Sequence, residues 1–74
     1  MTEEKKIFCR KINELIGDIQ AKDERKSVLY LEQTVFEKEG IISSALSANG
    51  DPSIDKLRKI ITGLKKYKSE MRDY

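Results

Sequence analysis

Ile54, Leu57, Ile61 and Leu64 are separated by three, four and three residues, and Met71 resumes the series one heptad later. That spacing places all five side chains on one stripe of an α-helix spanning about residues 52–72. A helix of this length draws most of its stability in water from burial of its apolar face. Some other part of the chain, or another molecule, must therefore cover the stripe.

Asn49-Gly50-Asp51-Pro52 stands immediately ahead of it. Asn49 and Gly50 tolerate the left-handed backbone that ends a helix. Asp51 can cap the next one, and Pro52 suits a first helical position, where its missing N–H costs nothing. A link this short joins antiparallel neighbours. Upstream, Val28, Leu31, Val35, Ile42 and Ala45 form a second stripe, with Leu29, Phe36 and Leu46 on its flanks and Tyr30 away from it. The expected architecture is an all-α, coiled-coil-like antiparallel hairpin in which the 28–46 stripe faces the 54–71 stripe. The segment around Glu37-Lys38-Glu39-Gly40 is a weak point in a helix otherwise read over about 24–47.

A further helix is read over about 3–21. Thr2 can cap it, and Glu3 and Glu4 suit the positive end of its dipole. Phe8, Ile12, Leu15 and Ile19 keep a four, three, four spacing, and Ile16 widens the stripe. Gly17 costs a helix about 1 kcal/mol relative to alanine. It marks either a close helix approach or a tolerated surface position. No Gly or Pro forces a break at residues 21–26, where a bend is favoured and Asp23 can cap a new helix.

With 74 residues the chain is one domain at most, and such small domains are marginally stable alone. The usual supplements are a disulfide, a metal or a partner chain. Cys9 is the only cysteine and there is no histidine, so neither an internal disulfide nor a conventional zinc site is expected. No cofactor is expected either. That leaves a partner, as a heterocomplex or homo-oligomer. Apolar residues make up 38% of the chain but form no run of about 18, so no span of a membrane is read. The acidic N-terminus lacks a signal-peptide core, and a single cysteine suits a reducing compartment, so the chain reads as cytoplasmic.

Nothing in the sequence specifies a reaction. Glu14 and Asp18 share a helix face, as do Glu32 and Glu39 roughly, but each has cations nearby and lies on a face read as wet. Acid–base pairs need a cleft that separates their pKa values. Cys9 has no histidine to activate it. Lys59, Lys65, Lys66 and Arg72 on the last helix could meet nucleic-acid phosphates. Asp55, Glu70 and Asp73 dilute that field, and the plainer reading is a solvated basic face. The apolar excess points instead to protein binding. Phe8, Ile12, Leu15 and Ile19, with Ile60 and Tyr67, exceed what a two-helix hairpin buries; either helix one packs on the Ile60 and Tyr67 edge or another protein does, and the six are read as a partner surface. On that reading Leu15→Asp abolishes the complex and spares the helicity of the hairpin.

The region 27–72, with its turn Asn49-Gly50-Asp51-Pro52-Ser53, resembles the small helical proteins of bacterial type III secretion. Needle subunits are helical hairpins with a comparable loop. Their co-chaperones are short, all-helical and highly charged, and join a second chaperone to keep the needle subunit soluble. The chain ends Ser69-Glu70-Met71-Arg72-Asp73-Tyr74, without the apolar tail of a polymerising subunit. The resemblance therefore implies a co-chaperone or similar adaptor, with no enzymatic activity.

Overall fold

A computed structural model of the chain describes residues 3–47 and 52–71. It is all-α, with four helices and no strand among the described residues: α1 (Glu3–Lys22), α2 (Val28–Val35), α3 (Ile41–Leu46) and α4 (Ile54–Glu70). α1 keeps the expected bounds, with Glu3 and Glu4 in its first turn and Lys22 in its last, all favourable to the dipole. Thr2 lies outside the described residues, as do Asn49, Gly50 and Asp51. α4 is capped by Ser53, whose Oγ accepts from the Lys56 amide at 3.2 Å, and Pro52 is buried just before it. Pro52 therefore precedes the helix and does not begin it.

The chain breaks after Lys22. Asp23 accepts from the Arg25 amide at 3.0 Å and tightens a turn; Ser27 caps α2 by accepting from the Tyr30 amide at 3.2 Å. The helix read over 24–47 is in fact two. Glu37 and Gly40 both take positive φ, 53° and 86°, a left-handed region that no helix interior accommodates. The new helix then begins under a cap from ten residues upstream. The buried carboxylate of Glu32 accepts from the amides of Ile42 at 2.8 Å and Ser43 at 3.1 Å. Glu32, read as part of a wet acidic face, is 2% exposed because it satisfies the first amides of α3.

Successive contacts of α2 and α3 run backwards along α4. Tyr30 neighbours Tyr67, Phe36 meets Gly63, and Ser44 meets Lys56. The short turn at 23–27 sends α1 against the direction of α2, and Lys68 reaches Asp18. α1 and α4 thus run broadly the same way, and theirs is the largest helix–helix interface; those of α2 and α3 with α4 are smaller. The 28–46 stripe, expected to face the 54–71 stripe, covers only part of α4; α1 covers most of it. One core joins Ile12, Leu15, Ile16 and Ile19 of α1 to Leu31, Ile41, Ile42 and Ala45, and to Leu57, Ile60, Ile61 and Leu64 of α4.

Candidate functional site

Of the six side chains read as a partner surface, four are sealed inside the chain. Ile12, Ile19 and Ile60 are 0% exposed and Leu15 is 3%. Phe8 and Tyr67 are half-buried against the same core. Each fully buried side chain of this kind is worth about 1.5–3 kcal/mol. Opening four of them would forfeit about 6–12 kcal/mol, comparable to the whole stability of a small domain, so they do not form a contact surface. The physical reason is the α1–α4 interface. Residues that look surplus to a two-helix hairpin are what close a core built mainly from its first and last helices.

Tyr67 leads to a different surface. It lies beside Tyr30 and Lys26 at the seam where the start of α2 meets the end of α4. The Lys26 ammonium donates to the Tyr30 hydroxyl at 3.1 Å and stands 4.3 Å from the centroid of its ring, a cation–π contact. The hydrogen bond from Lys26 holds the Tyr30 hydroxyl below its ordinary pKa and the ammonium above its own. Burial pushes the Tyr67 hydroxyl up. Asp23 carboxylate oxygens lie 3.9 Å from Lys26 and 3.1 Å from Arg25, fixing the turn that carries them. Next to this cluster Leu29 is 46% exposed and Tyr30 36%. A shallow groove of about 260 Å³ continues from Tyr67 along Thr34, Val35, Gly63, Lys66 and Glu70. Sequence reading placed Tyr30 off the main stripe but had no means to bring it to Tyr67.

No family model, curated protein or solved structure matches this chain.

The cations of α4 divide between two flanks. Lys66 opens into the α2–α4 groove, whereas Lys65 lines a second groove between α1 and α4. Lys59 is exposed, and Arg72 lies outside the described residues. The three described ones, Lys59, Lys65 and Lys66, therefore do not form the single phosphate-contacting set read from the sequence. The acidic residues weighed for catalysis also part company. Glu14 pairs with Lys11 at 3.9 Å, Asp18 with Lys68 at 2.8 Å, Glu32 caps α3 and Glu39 is exposed. Among the described residues no group of three or more His, Cys, Asp or Glu could hold a metal ion, and no helix is long and apolar enough to cross a membrane.

Proposed function

We propose that this chain is a non-enzymatic binding module that recognises another protein through the α2–α4 seam at Tyr30 and Tyr67. The observation that carries the reading is Tyr30, a large side chain left 36% exposed beside Tyr67 by a fold that seals its core elsewhere. Tyrosine is enriched at binding hot spots, because its ring offers apolar area while the hydroxyl tolerates water. Lys26 fixes the Tyr30 ring before any partner arrives, which lowers the entropy cost of docking. A helix laid along the seam, its apolar face on the two tyrosines, is the mode that fits. An adaptor or co-chaperone role, as for a secretion-needle subunit, is one form of this function. It places the partner on the seam and not on the face of α1.

A photo-crosslinking side chain at position 30, compared with one at the exposed position 58 on the α1 flank of α4, tests the reading. A protein adduct formed from position 30 and not from 58 supports it. Equal adducts from both, or none from 30, overturn it.

A further inference from the structure

The groove that continues from Tyr67 between α2 and α4 carries opposite charges on its rim. Its volume is about 260 Å³, and Thr34, Val35, Gly63, Lys66, Tyr67 and Glu70 line it. Gly63, Lys66, Tyr67 and Glu70 stand on one face of α4, because positions three and four apart on a helix are neighbours. Lys66 and Glu70 are exposed, whereas Val35 and Tyr67 are half-buried. The lysine precedes the glutamate by one helical turn, the less favourable order for an ion pair within a helix. Neither side chain is in an ion pair with a described residue. Lys26, beside the two tyrosines, has Asp23 of its own chain at 3.9 Å. A partner suited to this rim presents a cation and a carboxylate of its own in the reverse order. A second copy of the chain does so when turned about a twofold axis, since such a contact pairs residue i with j and j with i.

We propose that the occupant of the seam is a second copy of this chain, with the two α4 helices antiparallel and Lys66 of each facing Glu70 of the other. The inference rests on the protein-binding reading of the seam and names its partner. The twofold axis crosses α4 level with position 68, one residue from Tyr67. The two Tyr67 side chains then lie about 3 Å apart along the helix direction, near enough for their rings to meet. The helix laid along the seam is thus the other copy's α4. Each chain seals its own core, so folding does not depend on this contact. The charge pairs sit at a wet rim, where each contributes little. The contact is therefore weak and reversible, with a Kd of about 100 µM. A twofold contact closes on itself, so assembly stops at two chains.

Sedimentation equilibrium of the whole chain from about 10 µM to about 1 mM, with Cys9 kept reduced, tests this. Lys66→Glu sets like charges opposite each other at both ends of the contact, and Glu70→Lys does the same with the other sign. Each weakens self-association at least about tenfold. An equal mixture of the two variants faces acid with base again and associates within about threefold of wild type, as does the chain that carries both reversals. Recovery in the mixture is what a twofold contact requires and a merely charge-sensitive one does not. If a reversed variant loses the wild-type circular dichroism, Lys66→Gln and Glu70→Gln are read in its place, each weakening association about threefold. A wild-type chain that stays monomeric up to about 1 mM overturns the proposal. A dimer indifferent to these substitutions, or a mixture of the reversed variants that stays monomeric, overturns it too. The photo-crosslinking side chain at position 30 separates this failure from that of the wider reading. Adducts with a different protein, from a chain that is monomeric alone, remove the second copy and leave the seam a binding surface; no adduct of any kind removes both.

Discussion

The ring of Phe36 occupies the space that a side chain at position 63 would need: a β-carbon on Gly63 would come within 2.6 Å of Phe36 Cε1 and 3.1 Å of Val35 Cγ1. The end of α2 approaches α4 this closely because α4 presents bare backbone there. Gly17 is the contrasting case, with nothing within 4 Å of the same atom. Gly17→Ala is expected to stabilise the fold by up to about 1 kcal/mol through helix propensity alone. Gly63→Ala gains the same propensity but overpacks, at about 1–3 kcal/mol, and comes out destabilising. The effect of Gly63→Ala should turn neutral or favourable in a Phe36→Ala background. Urea midpoints of the single and double variants check this, and equal effects at positions 17 and 63 would contradict it.

Leu15→Asp is expected to unfold the domain. Leu15 lies at 3% exposure in the α1–α4 interface, so the substitution removes core volume and strands a carboxylate in apolar surroundings. A cost of about 4 kcal/mol or more approaches the whole stability of a chain of this size. Far-UV circular dichroism at 25 °C should show lost helicity and no cooperative urea transition. Preserved helicity with lost partner binding would restore Leu15 to a contact surface.

Glu32→Ala leaves the amides of Ile42 and Ser43 without their acceptor at the start of a six-residue helix. The expected loss is about 2–3 kcal/mol, the usual cost of removing a charged hydrogen-bond partner from buried donors. Glu32→Gln keeps an oxygen in place and should lose about 1 kcal/mol, mainly its charge on the helix dipole. Hydrogen exchange at the two amides should accelerate strongly in the alanine variant and weakly in the glutamine variant. Unchanged exchange in both would mean that α3 does not depend on this cap.

Asp18 contributes a small acid-dependent stabilisation. The hydrogen bond and charge of Lys68 hold its carboxyl below the ordinary 3.8, so the folded chain binds this proton less tightly than the unfolded chain. The contribution is fully present above the unfolded value and disappears as pH falls through the lower folded value. The pair is partly exposed, so solvent and salt screen it. The urea midpoint of Asp18→Asn should therefore lie slightly below wild type at neutral pH and meet it once the pH has fallen below the lowered folded value. A gap that widens on acidification would reverse the sign.

Much of the helix content was legible in the sequence, and its pairing was not. Periodicity identified Leu57, Ile61 and Leu64 as core-facing, and it marked Ile12, Leu15 and Ile19 as an apolar stripe that was read as a partner surface but closes the core. It reports which face of a helix is apolar, not which other face will cover it, and three similar stripes left that choice open. The short link before Pro52 pointed to α2 and α3, which do lie against α4, and not to the larger interface that α1 makes with it. Gly40 was visible as a weak point, but Glu32 capping α3 spans a ten-residue separation that no local pattern records. The same limit applies to the seam. Tyr30 looked peripheral and Tyr67 surplus, and only the fold brings them together beside Lys26.

All of this depends on α1 closing the core of its own chain. Isotope-filtered NOE spectroscopy on an equal mixture of labelled and unlabelled protein measures that directly. Contacts from the methyl groups of Ile12, Leu15 and Ile19 to those of Ile60, Ile61 and Leu64 should arise only within one molecule. Strong contacts between labelled and unlabelled copies at these methyl groups would show that α1 covers a second chain, and the self-sealed core would be wrong.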